Sequence, residues 1–363
     1  MHIQKLQWLC LTVFFCAVLP SVHLNGQAIE TLYTPSADRT GLGSLLHLAF
    51  DPDGSGLGYA VGNCGGFSRS TDNGESWQNA DWEEGIDLEQ VIVFPESGGQ
   101  KVMAFTEFNY YISLDKGDKW EEGTFQLTPE EGQITDVFAL GKNTAIFATS
   151  MGRIYRTVDN GQSWSLNELQ AGMLETQCLD FNDGQNGWLG SLDGVLYRTS
   201  DGGQNWSILA QDTFAYYSLD LLNDTIGFCF TSAGIFQIDG NSLGKNLLST
   251  GSQSLIEAKV TAGSEKTFIY TTYETIIKIT IEDNPELLSA WPVLGYQHFT
   301  GRRLCRNNEF LWVAGQNKIV LAFQPGDSFD QFYASEPEIA DFIKDVFFLS
   351  EEECLASSSV NNL

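Results

Sequence analysis

Four aspartates recur in four copies of one motif, and a carboxylate is among the side chains most able to act as acid, base or metal ligand. They are Asp72, Asp115, Asp159 and Asp201, each set in the frame Ser/Thr-x-Asp-x-Gly-x-x-Trp. The full sets are Ser70, Asp72, Gly74 and Trp77; Ser113, Asp115, Gly117 and Trp120; Thr157, Asp159, Gly161 and Trp164; and Thr199, Asp201, Gly203 and Trp206. Their spacing argues against joint chemistry. The tryptophans lie 43, 44 and 42 residues apart, so each carboxylate falls in a separate unit of the chain, far from the others. The residue types suit a turn clamp instead. Asp and Ser/Thr side chains hydrogen-bond the backbone of a tight turn, Gly supplies positive φ, and Trp opens the next strand with a large apolar surface to bury. The motif residues are therefore read as structural.

Other candidate chemistry is thin. Once a leader is removed, His47 and His298 are the only histidines, far apart in sequence, and no Cys or His spacing matches a zinc site. No metal and no cofactor is expected, and no catalytic residue is assigned. Asp51-Pro52-Asp53-Gly54-Ser55-Gly56 resembles the start of a calcium loop but lacks the downstream Glu, so a plain turn is preferred. Paired carboxylates for glycoside hydrolysis would sit about 5–10 Å apart, but with 47 acidic residues such pairs are plentiful and uninformative. Two contact candidates remain. Arg302, Arg303 and Arg306 cluster beside Cys305 and break the acidic pattern, which suits an anion or carboxylate. Trp82, in Asp81-Trp82-Glu83-Glu84-Gly85, follows the first motif and suits stacking on a sugar or anchoring a partner.

The elements that carry these residues read as short strands with Gly-rich turns. Residues 151–164 and 193–206 agree at 8 of 14 positions. Each unit gives four strands, the outermost beginning at the motif Trp. A fixed period near forty with β-type flanks predicts an all-β propeller of four-stranded blades. The second half keeps the period while losing the motif: two units are expected around 228–248 and 267–291, and a degenerate box at 322–329 ends in Phe329. That makes seven complete units. Ile343–Leu349 and Glu351–Ser358 look like two strands of a further unit and Ile29–Tyr33 like its outer strand, so the expected ring has eight blades, the last shared between the termini; seven is the alternative. Glu336–Lys344 is the best helical candidate.

The 363 residues open with Lys5, an apolar run from Leu6 to Leu19 and a Gly26-x-Ala28 cut site, a pattern of export. The expected organisation is a signal peptide over 1–28 and one propeller domain over 29–363, in the periplasm, at the cell surface or outside the cell. Formal net charge is −28, and −29 without the leader. Such a surface repels phosphate backbones and anionic lipids, so nucleic acid is excluded as a partner and no membrane insertion is expected; a monomer is. Cys64, Cys178, Cys229, Cys305 and Cys354 form no evident disulfide framework; Cys64 sits in a turn and the others in apolar runs.

At Gly187-Trp188-Leu189-Gly190-Ser191-Leu192-Asp193-Gly194-Val195-Leu196-Tyr197-Arg198-Thr199-Ser200-Asp201-Gly202-Gly203-Gln204-Asn205-Trp206 the repeats resemble Asp-box, or bacterial neuraminidase, repeats. They are most similar to propellers of the photosystem II stability and assembly factor kind. The resemblance is strong over 45–206 and implies a propeller that holds protein partners without catalysis; the partner expected for this chain is a protein or a glycan of unknown identity. A photosystem role itself is not expected, since no basic partner-binding face is evident. Sialidases also carry these boxes but need three convergent arginines. The mature chain has eight arginines, Arg156 and Arg198 share one repeat slot, and Arg39 lies in no Arg-Ile-Pro segment. A secreted glycoside hydrolase, sialidase-like or of the carboxylate-pair type, is the alternative function.

Overall fold

The computed structural model describes residues 45–239, apart from 64, 80–85, 125, 170–174 and 224–225. Beyond these it describes the strands that follow, as far as residue 359. Sheet one is Leu45–Phe50, Gly58–Gly62, Phe67–Ser70 and Gln78–Asn79; sheet two is Gln90–Val93, Val102–Phe105, Tyr110–Ser113 and Glu121–Glu122. Sheet three is Ile134–Gly141, Thr144–Thr149, Arg153–Thr157 and Ser165–Glu168; sheet four is Thr176–Phe181, Gly187–Ser191, Val195–Thr199 and Ser207–Gln211. Sheet five is Tyr216–Leu221, Ile226–Thr231, Gly234–Asp239 and Ser242–Leu248; sheet six is Leu255–Val260, Thr267–Thr272, Ile276–Ile281 and Leu288–Pro292. Sheet seven is Gly301–Asn307, Phe310–Gly315, Val320–Phe323 and Phe332–Ala334, and Phe342–Phe348 pairs with Cys354–Ser359. Each sheet is antiparallel, its strands adjacent in chain order.

The first strand of each sheet adjoins the first strand of the next, and Gly301–Asn307 of sheet seven adjoins Leu45–Phe50 of sheet one. The two-stranded unit of 342–359 is the remainder foreseen at the carboxyl end. Its expected third member, 29–33, and Phe329 of the degenerate box lie outside the described residues. The helical expectation for 336–344 is corrected at its end, where residues 342–344 are strand. Two buried-strand residue types, Phe and Ile, open that segment, and they favour a pleated surface over a helix. A single helical turn, Pro129–Glu131, is present among the described residues.

The core is a set of layers between sheets. Second strands are buried on both faces, as in Gly58–Gly62 and Val102–Phe105, which explains their unbroken apolar runs. Fourth strands such as Glu121–Glu122 and Ser207–Gln211 are largely exposed, and the charged pair Glu121 and Glu122 blunts the free edge of sheet two. Tyr59, Val61 and Phe67 of sheet one pack with Val91, Val102 and Ala104 of sheet two, and Trp120 closes that layer. Trp164 closes the layer between sheets two and three, its ring 4.8 Å from Phe147 and 5.4 Å from Tyr110. Trp206 does the same between sheets three and four. These three rings are partly buried, and each stabilises its layer in proportion to the apolar area it removes from water, roughly 25 cal/mol per Å². The fourth strands begin one residue after Trp77, Trp120, Trp164 and Trp206 rather than at them, because the indole is turned back into the layer behind.

Candidate functional site

Each box carboxylate is consumed by its own turn. In the third box Thr157 Oγ1 donates to Asp159 Oδ1 at 2.7 Å and accepts from Gly161 N at 2.8 Å. Asp159 also accepts from Ser163 N at 2.9 Å and Ser163 Oγ at 2.6 Å. The same pattern recurs at Ser70 and Asp72, at Ser113 and Asp115, and at Thr199 and Asp201. Gly74, Gly117, Gly161 and Gly203 all have φ between +80° and +92°. Partial desolvation pushes Asp72 and Asp201 upward, but the donated hydrogen bonds outweigh it and hold both below the ordinary carboxylate range. Asp115 is held low chiefly by the Lys119 N–H and Asp159 by Ser163. An acid saturated with internal donors is a poor proton donor or metal ligand.

The boxes are also pinned from the preceding sheet. Arg69 of sheet one donates from Nη1 to Lys116 O at 2.7 Å and pairs with Asp118 Oδ1 at 2.6 Å, both in the second box. Tyr110 of sheet two and Thr124, just past its last strand, donate to Gly161 O, and Lys101 Nζ reaches Asn160 Oδ1 at 3.1 Å, both in the third. Arg156 Nε of sheet three donates to Gly202 O in the fourth at 2.8 Å.

First strands carry a second set of ties that sequence reasoning missed. Val91 N donates to His47 Nδ1 at 3.3 Å, and Gln90 Nε2 donates to Thr135 O at 3.0 Å. Leu179 N donates to Asp136 Oδ2 at 2.8 Å and Leu221 N to Asp180 Oδ2 at 2.7 Å. Ser218 exchanges hydrogen bonds with the Ala258 backbone, and Lys259 Nζ lies 3.7 Å from Asp220 Oδ1. Each tie links one sheet to the next. Burial pushes the Asp180 carboxyl up to about 6; Lys259 pulls it back, while the charges of Asp220 and Asp136 add to the rise. The available signal was an acid inside an otherwise apolar strand, as in Leu179-Asp180-Phe181 and Leu219-Asp220-Leu221.

Arg302, Arg303 and Arg306 fall together on the first strand of sheet seven. A bulge recurs in first strands between Thr176 and Cys178, Tyr216 and Ser218, and Gly301 and Arg303. It sets Arg303 at the register position that Ser218 holds in sheet five, one of the tie positions. Arg302 lies within the bulge and Arg306 pairs opposite Leu311. Trp82 and Cys64 lie outside the described residues. Cys178, Cys229 and Cys305 form no disulfide. Residues 51–56 make the expected turn, with Asp51 Oδ1 accepting from Asp53 N. No cluster of three or more His, Cys, Asp or Glu able to hold a metal occurs among the described residues. No helix among them is long and apolar enough to cross a membrane.

Clamped box turns, pins from the sheet behind and a circuit of first strands are the features of an Asp-box propeller. Residues 43–178 match the family described as photosynthesis system II assembly factor YCF48. The resemblance drawn from the boxes therefore holds. YCF48 from Cyanidioschyzon merolae superposes with a TM-score of 0.61 at 15% identity, over 80% of this chain and 98% of that one. YCF48 bound to D1 peptide gives 0.61 at 16%, over 79% and 94%. A GH74 xyloglucanase from Xanthomonas campestris gives 0.58 at 13%, over 88% of this chain and 58% of the enzyme. At these identities the likeness is one of fold. No curated protein matches.

Proposed function

We propose that the chain is an exported, non-catalytic propeller that serves as a protein-binding or assembly platform. The observation that carries this reading is the YCF48 match over 43–178, joined to a solved YCF48 of the same fold that holds a peptide. The box chemistry agrees with it: all four repeated carboxylates are engaged within their own turns. A rigid ring with pinned turns on one face suits recognition, because little conformational freedom is lost on binding. The partner-facing group proposed is the run Arg302, Arg303 and Arg306 on the first strand of sheet seven, which would take a carboxylate or another anion of the partner. Trp82 is a second contact candidate.

The test is capture of partners from the producing cell's envelope with the protein lacking residues 1–28. Charge reversal at Arg302 and Arg306 is expected to abolish the specific capture while melting temperature stays within a few degrees. Capture that survives both reversals removes the arginines from the reading. An empty capture by the unaltered protein removes the platform itself.

A secreted glycoside hydrolase is the second reading, favoured by the fold shared with GH74 enzymes. It predicts release of reducing sugar from xyloglucan or from fluorogenic glycosides, lost on changing a single carboxylate. Turnover of that kind would displace the platform reading.

A further inference from the structure

Asn73 and Asn160 hold one slot in the first and third boxes, each immediately before the box glycine. An Asn–Gly bond is a reactive setting for the amide side chain, because glycine leaves its backbone nitrogen unshielded and its own φ and ψ free. The reaction is intramolecular. The glycine nitrogen gives up its proton to solvent base and attacks Cγ of the asparagine. The N–Cγ bond forms as the Cγ–Nδ2 bond breaks, ammonia leaves, and a cyclic succinimide results. Water then opens that ring at one carbonyl or the other, giving aspartate or isoaspartate. Nothing but water is consumed.

The turn itself does not call for asparagine. The residue in this slot has φ of 60° at Asn73, 66° at Lys116, 58° at Asn160 and 68° at Gly202, so lysine and glycine serve the same left-handed position. The N–H of the slot residue is anchored alike in all four, to the carbonyls of Gly56, Gln100, Asn143 and Gln185 at 2.9–3.1 Å. Two of the four boxes therefore carry a reactive bond that the other two lack.

The box hydroxyl restrains that bond. Gly74 N donates to Ser70 Oγ and Gly161 N to Thr157 Oγ1, both at 2.8 Å, and all four residues are buried. A nitrogen whose proton is held by an acceptor away from water neither loses that proton nor turns toward Cγ. The two asparagines differ in one respect. Asn73 is exposed, whereas Asn160 is half-buried and its Oδ1 accepts from Lys101 Nζ at 3.1 Å. Lys101 Nζ is itself fixed by Lys142 O at 3.2 Å and by Asn143 Oδ1. The third box thus restrains the amide as well as the nucleophile.

We propose that Asn73 and Asn160 are sites of spontaneous deamidation, held closed by the Ser70 and Thr157 hydroxyls and released when a box turn opens, with Asn73 reacting first. The change is one-way. Each event adds a negative charge, and isoaspartate adds a backbone atom inside the turn, which shifts Gly74 or Gly161 relative to its hydroxyl. A turn that has opened is marked permanently.

The test incubates the full protein at mildly alkaline pH, folded or in urea, and follows each asparagine by peptide mass spectrometry. The local sequences, Asp-Asn-Gly-Glu-Ser-Trp and Asp-Asn-Gly-Gln-Ser-Trp, are nearly the same, so in urea both sites should convert at similar rates. In the folded protein both should be slower, Asn160 more so than Asn73. Ser70→Ala should speed Asn73 about tenfold, the factor that one hydrogen bond of ordinary net strength represents, and leave Asn160 unchanged; Thr157→Val should do the reverse. Lys101→Met, which leaves both hydroxyls in place, should bring Asn160 up to the rate of Asn73. Melting curves check that each variant is folded during the incubation. Folded and urea-treated protein converting equally, equal acceleration at both asparagines in either hydroxyl variant, or an Asn160 rate unmoved by Lys101→Met would each overturn the proposal.

Discussion

Arg156 of sheet three and Gly202 of the fourth box are joined by a 2.8 Å hydrogen bond from Nε to the carbonyl. The bond crosses from one sheet to the next and fixes the height of the box turn. Arg198, its counterpart one sheet on, has a buried Nε with nothing to donate to. The same residue in the same slot thus bonds across one junction and leaves a buried donor unmet at the next.

This contrast sets opposite signs for one substitution. Arg156→Met removes a bonded donor and leaves the Gly202 carbonyl without its partner, so the melting temperature should fall. Arg198→Met keeps the apolar stem and removes an unmet donor, so it should rise. Each change is expected to be about 1–2 kcal/mol, or a few degrees. Differential scanning calorimetry of the two variants against wild type decides the matter; equal shifts of the same sign would refute the pin description.

Thr157 is 1% exposed, and its hydroxyl both donates to Asp159 and accepts from Gly161 N. Thr157→Val preserves shape and leaves the Gly161 N–H buried without an acceptor. The expected loss is about 1–3 kcal/mol in urea unfolding. Thr157→Ser retains the hydroxyl and should recover most of it.

Gly161 and Gly98 both have positive φ, at 80° and 60°. A Cβ on Gly161 would lie 2.5 Å from Met103 Cε, whereas one on Gly98 meets nothing within 4 Å. Both alanine variants carry the left-handed penalty of roughly 1–2 kcal/mol. Gly161→Ala adds a clash inside the layer between sheets two and three, so it should unfold at distinctly lower urea than Gly98→Ala.

Asp180 makes a pH prediction of definite sign. Its folded pKa is raised to about 6 by burial and by the neighbouring acids Asp220 and Asp136, against the pull of Lys259. A raised carboxyl binds its proton more tightly in the folded state. Its contribution is therefore most favourable below the unfolded value and is lost as pH rises through about 6. Asp180→Asn cannot titrate. Its stability relative to wild type should improve by on the order of 1 kcal/mol between pH 5 and pH 8. The box carboxylates, held low, lose their contribution only in more acid solution, so the two effects separate. A difference between variant and wild type that is flat across this range would show that Asp180 keeps its charge throughout.

Much of the architecture was legible because the boxes are local. Ser70 to Trp77 specifies its own turn within eight residues, and the spacing of four such turns sets the length of a unit. Strand content from 216 to 334 was also legible, since apolar alternation survives where the box decays. The ties between sheets were not legible. Asp136 and Leu179 are neighbours only after two units have stacked, and nothing in either local sequence names the other. Arg198 shares its repeat slot with Arg156, and nothing in the sequence shows that its Nε is left without a partner. The run Arg302, Arg303 and Arg306 was visible as charge, and its shared strand and the tie position of Arg303 add the geometry.

Every four-stranded sheet is spun from one uninterrupted stretch of chain, in the order of synthesis. A single in-frame duplication or excision of about forty residues would therefore add or remove an entire wedge, leaving no orphan strand behind. Ring size in such molecules is a quantity that genetic copying errors can change in whole steps, and the close kinship of residues 151–164 and 193–206 is what one recent step of that kind would leave.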